Sequence, residues 1–414
     1  MKKQLLPAYL LTFVNVLGFS ILMPVLPFVV KDYGAPEWVY GLLLSMYSAF
    51  QFIGAPILGK MSDERGRRPI LFISQAGTLI SWVVFLLALY LPAIPIYGFA
   101  LPLWIVLFSR ILDGITGGNI SVTNAYVADI TTPKEKTYVF GYIGGITGIG
   151  LMIGPGLGGW TASSSWGYSA TFVTAIAISA VALLSIFFWL KESLPKKDRQ
   201  AVKKHPVLHS FLITKQIRDL NPSGIIRLLF VLKLLFSIMS ASYMGTIVLY
   251  VIDLFDFDKK EVGMFMLAVG AFLAFNQVVM VQLFIKKLGP FKTLVVGLSM
   301  SVLGMYLITL TDNLIPYLIF YYVLNLGFSL CYPTFTALIS IHADPKKQGE
   351  VMGISESINS FAMTVFPVVA AAIYGIMGFK VYYLIGLFPL FALIGALKGR
   401  KEFLVESAAV DVEN

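Results

Sequence analysis

Four ionisable side chains stand inside stretches that are otherwise apolar: Arg110 and Asp113 in 100–127, Lys233 in 227–252 and Glu356 in 349–377. A charge in such a stretch is costly unless it meets a partner or a wet cavity. Arg110 and Asp113 are three residues apart, so on a helix they share one face. At 1.5 Å per residue, Lys233 lies about 9 Å and Glu356 about 10 Å into their stretches. Two kinds of chemistry follow. Asp113 or Glu356 carries a proton, its affinity set by burial and by Arg110 or Lys233 nearby. Alternatively, Arg110 and Asp113 form a fixed ion pair, and Lys233 reaches along its stem to a polar boundary.

Neutral polar side chains in the same apolar stretches are candidates for lining a substrate cavity. They are Asn15, Gln51, Asn119, Asn124, Tyr243, Gln277, Asn325 and Asn359, with Lys233 beside them. Phe236, Met239 and Phe361 offer an adaptable apolar surface; helix packing and lipid contact are the competing readings for all three.

The elements that must position these residues follow from composition. The chain has 414 residues, 57% of them hydrophobic and only 13% charged. Soluble domains carry about 25% charged residues, and disorder needs low hydrophobicity, so both are excluded. A spanning β-barrel needs alternating polarity; unbroken runs such as Leu10 to Val30 and Ala170 to Leu190 exclude it. The expectation is an all-α membrane protein with 12 transmembrane helices, at 8–30, 39–59, 70–91, 100–127, 138–162, 168–190, 227–252, 262–285, 291–311, 315–341, 349–377 and 380–398. They are numbered spans 1 to 12 in chain order. Met1-Lys2-Lys3 before an apolar run resembles a secretory signal, but Leu10 to Val30 is too long for a signal core, so it is read as span 1.

Lys and Arg set the orientation. With both termini cytoplasmic, 25 of the 31 cations fall inside and 4 outside (Lys31, Lys259, Lys260, Lys380), while Arg110 and Lys233 lie within spans. The net charge of +9 is then a topology signal with an attraction to anionic lipid, and no nucleic-acid partner is needed. The organisation expected is an N-terminal six-helix bundle over 1–190, a cytoplasmic linker over 191–226, a C-terminal six-helix bundle over 227–400 and a cytoplasmic tail over 401–414. The linker's basic run (Lys196, Lys197, Arg199, Lys203, Lys204) reads as a solvated segment near lipid headgroups.

Internal repetition supports that division. A shift of 212 places Pro133-Lys134 on Pro345-Lys346, Gly141 on Gly353 and Pro155 on Pro367; a shift of 223 places Gly66 on Gly289 and Leu71 on Leu294. The difference of 11 fits the longer stretch Tyr90 to Trp104 in the first half. Two pseudo-symmetric halves in parallel repeat are a transporter architecture.

The stretch Gly59-Lys-Met-Ser-Asp63-Glu-Arg-Gly66-Arg67-Arg68-Pro69 reads as a tight turn. Gly66 permits positive φ and Pro69 suits the first turn of a helix. Asp63 and Arg67 can pair or address a helix end. The spacing resembles the signature of the major facilitator superfamily. Leu17-Gly18 with Pro24-Val25-Leu26-Pro27 is similar to the first-helix motif of its drug–proton antiporters. Arg110-Ile-Leu-Asp-Gly114 is similar to their fourth-helix motif, and Gly154-Pro155-Gly156-Leu157-Gly158-Gly159 to their antiporter motif. Ala125 to Thr131 resembles the same place in tetracycline exporters.

The resemblance implies the major facilitator fold and a cytoplasmic gating motif of Gly59, Asp63, Gly66, Arg67, Arg68 and Asp129, with Asp63 also facing the N-terminus of span 11 near Gly349. It implies Arg110 at a motif position for proton coupling, and Gly154, Pro155, Gly158 and Gly159 in a seam that moves during transport. By spacing alone, the glycines at 150, 154 and 158, and at 141 and 145, let another helix approach, and Pro155 permits a bend. The same segment also satisfies Gly-x-Gly-x-x-Gly, but without a preceding strand it is no dinucleotide site.

Tetracycline exporters have acids within spans 1, 3 and 9. Here Asn15 and Ser81 stand at the matching places of the first two, and no acid lies between Phe291 and Leu310, so tetracycline itself is not implied. The function expected is secondary active transport, by proton-coupled efflux of small amphipathic molecules or drugs through alternating access. The alternative is a proton-coupled importer or uniporter of a polar metabolite. No cofactor is expected, because a proton gradient supplies the work. Single Cys331 makes no internal disulfide, no metal spacing is present, and His205, His209 and His342 form no catalytic motif, so no enzyme is expected. Partners are a small-molecule substrate, protons and membrane lipid, around a monomer in the cell (inner or plasma) membrane.

Overall fold

The computed structural model describes residues 5–196, 199, 217–218, 220, 222–344 and 347–400. Lys2, Lys3, Lys197, Lys203, Lys204, the Pro345-Lys346 half of the repeat, most of the linker and the tail 401–414 lie outside the described residues, and Gly141 and Gly349 are described in backbone only.

Nine helices among the described residues are long and apolar enough to cross a membrane. Two of these run for 49 residues, Lys259–Leu307 and Glu350–Lys398. Each turns at a glycine of positive φ, Gly289 (φ 76°) and Gly378 (φ 57°), and so supplies two crossings. With Pro133–Ala162, a helix of 30 residues, the described chain makes the twelve crossings that its hydropathy predicts.

Their observed bounds are Leu6–Asp32, Glu37–Arg65, Arg67–Ala88, Leu101–Ile130, Pro133–Ala162 and Tyr168–Trp189 for spans 1 to 6. Span 7 is Gly224–Met244 continued by Ile247–Phe255. Spans 8 and 9 share Lys259–Leu307 on either side of Gly289, span 10 is Leu314–His342, and span 11 is Gln348–Met377. Span 12 is Val381–Ile385 followed by Leu387–Lys398.

Local chemistry explains the starts. Pro7, Pro27 and Pro102 sit in first turns, where a missing N–H costs nothing. Span 8 opens on a capping box: Asp258 N–H donates to Glu261 Oε2 at 2.9 Å, and Glu261 N–H donates to Asp258 Oδ1 at 2.8 Å.

The stretch 59–69 turns tightly, as its spacing predicts: helix runs to Arg65 and resumes at Arg67, and Gly66 alone (φ 102°, ψ 157°) makes the turn. The stretch between spans 3 and 4 contains a two-stranded hairpin, β1 (Pro95–Ile96) antiparallel to β2 (Phe99–Ala100). Tyr97 (φ 48°) and Gly98 (φ 85°) form its turn, with the two positive φ angles that match strand twist.

The chain divides into two compact units, Met1–Val207 with Val251–Gly270, and Leu208–Tyr250 with Ala271–Asn414. The start of span 8 joins the first unit through backbone contact with span 5: a Cβ on Gly159 would lie 2.6 Å from Gly263 Cα, and one on Gly270 2.4 Å from Met152 Cα. In the first unit Leu11, Leu58, Ile70, Leu71, Val122 and Ile186 make a core cluster that draws spans 1, 2, 3, 4 and 6 together.

The internal plan of the units repeats. Span 1 packs on span 5 in one, and span 7 on span 11 in the other. Gly66 and Gly289 have nearly the same conformation (ψ 157° and 167°), as have Gly167 (φ 55°, ψ −141°) and Gly378 (φ 57°, ψ −140°).

Candidate functional site

The centre of the first unit holds an ion pair. Arg110 Nη2 donates to Asp113 Oδ2 at 2.8 Å. Both residues are almost wholly enclosed, 2% and 4% exposed. Three rings surround the guanidinium: Trp82 at 5.2 Å, Tyr47 at 5.5 Å and Phe85 at 5.9 Å from ring centroid to Cζ. Aromatic faces attract a desolvated cation. Hydroxyls of Ser81 and Thr78 on span 3 stand by the carboxylate. Arg110 Nε has no hydrogen-bond partner among the described residues.

One turn further along span 4 the helix is interrupted at Gly118, between Leu101–Gly117 and Ile120–Ile130. Polar groups gather at the break. Asn15 Nδ2 donates to Asn119 Oδ1 at 2.6 Å, and Gln51 Nε2 donates to Tyr47 Oη at 3.1 Å and to the Gly117 carbonyl at 3.3 Å. Spans 1, 2 and 4 are thus joined by three of the predicted side chains. Asn119 Nδ2 is buried without a partner among the described residues. Asn124 is half-buried on the next turn.

In the second unit, Lys233 Nζ donates to Ser355 Oγ at 2.6 Å and is 7% exposed. Glu356, the next residue after Ser355, is exposed and makes no ion pair with Lys233 within 4.0 Å. Phe236, Tyr332 and Phe328 cluster near them with ring centroids 5.1 and 5.9 Å from Phe236. Tyr243 is hydrogen-bonded to Tyr321.

Asn325 is reached by Asn276 Nδ2 at 3.1 Å, and Asn276 Oδ1 accepts from Tyr322 Oη at 3.0 Å. Gln277 is exposed, and its amide donates to the Ser329 carbonyl at 3.5 Å. Asn359 is half-buried on span 11, and Met239 is buried.

At one end of the first unit Arg67 gathers the charges that the spacing singles out. Its Nη1 donates to Asp63 Oδ1 at 2.5 Å and to Ser62 Oγ at 2.7 Å, and its Nε donates to Asp129 Oδ2 at 3.1 Å. Arg68 Nη2 donates to the Phe187 carbonyl at 2.8 Å. Gly59 accepts from Ser62 Oγ at 2.6 Å and has room for a side chain.

The glycines of span 5 are used on two faces. A Cβ on Gly154 would meet Ser20 Oγ at 2.0 Å, and one on Gly158 the Ile21 carbonyl oxygen at 2.1 Å, so this face seats span 1. Gly159 and the Pro155 carbonyl meet Gly263 at the start of span 8. Gly145, by contrast, faces open space.

Several residues of the site escape the sequence reading. Glu192 accepts from the backbone N–H of Arg67 (2.8 Å) and of Arg68 (3.3 Å), so a carboxylate from beyond span 6 caps span 3. It lies in a basic segment 125 positions away, and no spacing announces it. Asn276 had a signal, being polar in the middle of an apolar run. It opens a π-helical turn, Asn276–Met280, and is buried while Gln277 beside it is exposed.

A family model of the Major Facilitator Superfamily matches residues 8–367. The chain belongs to that superfamily. It is a multi-pass membrane transporter for small molecules, not an enzyme. Tetracycline resistance protein, class D, of Salmonella ordonez is 28% identical over 383 residues, covering 90% of each chain. Quinolone resistance protein NorA of Staphylococcus aureus (strain MSSA476) is 24% identical over 377 residues, covering 91% of each. In fold, the transporter is similar to the human organic anion transporter MFSD10 (TETRAN), with TM-score 0.69 and 22% identity over 95% of this chain and 99% of that one.

Proposed function

We propose that this transporter exports small amphipathic molecules in exchange for protons, by alternating access across the cell inner membrane. The observation that carries the proposal is the Arg110–Asp113 pair, an ionisable couple enclosed by rings and hydroxyls within span 4. A carboxylate at such depth is retained at a cost, and proton exchange is the work that repays it. The relatives are named for resistance to tetracycline and to quinolones, which supports efflux as the direction.

In this reading Asp113 takes up a proton when its attraction to Arg110 weakens, and Glu356 is the second carrier. Inward proton movement supplies about 2.3 kcal/mol per charge per 100 mV, with any pH gradient added. The polar groups at the span 4 break (Asn15, Gln51, Asn119, Asn124) and those of the second unit (Lys233, Tyr243, Gln277, Asn325, Asn359) contact the substrate.

The Asp63–Arg67–Asp129 group, capped by Glu192, is the cytoplasmic gate, with both termini on that side. Functional halves fall at 1–190 and 227–400, the protein works as a monomer, and it uses no cofactor beyond the gradient.

The test is drug movement in everted membrane vesicles, with tetracycline and a fluoroquinolone as probes. Acidifying the lumen should drive at least one probe inward, and Asp113→Asn should abolish the gradient's effect. Accumulation that ignores the gradient overturns the coupling. Accumulation in intact cells in place of depletion overturns the direction.

A further inference from the structure

A groove of about 380 Å³ runs down the outside of the first unit, between span 5 and the start of span 8. Its walls are Ile153, Gly156, Leu157 and Trp160 on one helix and Lys260, Met264 and Leu267 on the other. Each set repeats at three-, four- and seven-residue steps, so each is one helical stripe. The opposite stripes, at Gly159, Gly263 and Gly270, hold the two helices in backbone contact. The groove is therefore backed by a closely packed helix pair.

Its chemistry is lopsided. Six of the seven lining residues are apolar, and the outermost are open to the surroundings: Trp160 is 68% exposed and Met264 62%. Lys260 is the seventh, in the first turn of span 8. Trp160 is in the last turn of span 5, so cation and indole share the end at which the chain leaves the membrane. Tryptophan prefers that interface.

Asp258, Glu261 and Lys259 beside Lys260 are engaged. Asp258 and Glu261 cap one another's backbone N–H groups, and Lys259 Nζ sits 3.9 Å from the Tyr168 ring centroid, over a ring whose hydroxyl bonds Asp32. Lys260 has no carboxylate within 4.0 Å among the described residues.

We propose that this groove is the seat of one anionic glycerophospholipid, its phosphate on Lys260 and one acyl chain laid between Met264, Leu267, Leu157 and Ile153. From Lys260 to Leu267 the slot descends about 10 Å at 1.5 Å per residue, as an acyl chain does from its headgroup. Gly156 is its floor. A Cβ there would come within 3.2 Å of Leu267 Cδ1, so any larger side chain would occupy the slot.

The test uses Trp160 as the reporter. The purified protein is placed in phosphatidylcholine bilayers with a minor fraction of acyl-brominated phosphatidylglycerol or acyl-brominated phosphatidylcholine. The Trp160 signal is the difference between the parent and Trp160→Phe. Brominated phosphatidylglycerol should quench it as though enriched roughly five-fold at the site, the ratio that one lysine near an anionic surface gives. Lys260→Gln should remove the preference while quenching by phosphatidylcholine persists, and Gly156→Leu should reduce quenching by both. Lys260 is exposed, so its variant folds as the parent does and serves even if Gly156→Leu does not. Equal quenching by the two lipids in the parent, or a preference that survives Lys260→Gln, overturns the proposal.

Discussion

At the scale of single residues, the energetics turn on which buried charges have partners. Removing one member of an enclosed ion pair leaves the other uncompensated, at a cost of about 3–5 kcal/mol, whereas replacing both by apolar groups is often neutral. Asp113→Asn should therefore lower the unfolding midpoint of the purified protein markedly, and the double variant Arg110→Met with Asp113→Leu should recover most of the loss. A midpoint unchanged in Asp113→Asn would mean that the pair is not formed. Lys233 stands differently, with one hydroxyl and no carboxylate in contact. Its replacement by Met should leave the midpoint unchanged or raised, because an enclosed ammonium is removed. The charges themselves were legible in sequence, as was the pairing of Arg110 with Asp113. The ring enclosure was not, because Tyr47 and Trp82 come from spans 2 and 3 and no local periodicity links them to Arg110.

At the scale of elements, glycine decides where helices turn and how closely they pack. Gly66 occupies a region of φ and ψ open only to glycine, where another residue costs about 1–3 kcal/mol. A Cβ there would also lie 2.4 Å from Glu192 Oε2. Gly66→Ala should thus destabilise more than Gly59→Ala, whose Cβ would have space. Equal midpoints for the two would contradict this account of the turn.

Along span 5 the obstacles differ in kind. Gly154→Ala collides with the side chain of Ser20, Gly158→Ala with the backbone carbonyl of Ile21. Overpacking of this sort costs about 1–3 kcal/mol. Ser20→Ala should relieve the first variant in part and the second not at all, a contrast readable by thermal unfolding. The helix runs and the turn at Gly66 were readable from composition and spacing. The hairpin at 95–100 was not, since two residues per strand leave no alternation to see, and the π turn at Asn276 shifts a register that sequence spacing assumes to be constant.

At the scale of the whole molecule, the repeat in the sequence is a repeat in conformation. The offset that pairs Gly66 with Gly289 joins two glycines of matching φ and ψ, each making the turn between the second and third spans of its half. The pair Gly167 and Gly378 does the same for the fifth and sixth spans, and shows that parallel repetition reaches positions where the surrounding sequence gives no obvious match. Unit boundaries were less legible. Val251–Gly270 groups with the first unit because glycines at 159, 263 and 270 allow close contact, a property of three-dimensional packing that hydropathy does not register.

The central claim is that drug and proton move in opposite directions through one site containing Asp113. It is tested most directly by recording lumenal pH in proteoliposomes that hold a trapped pH dye and the purified transporter, with the lumen set acid and tetracycline or a fluoroquinolone added outside. The account predicts that a transported probe makes the lumen more alkaline, as protons leave in exchange, and that Asp113→Asn abolishes the change. Probe uptake with no movement of protons, or the same proton release from Asp113→Asn, would contradict it.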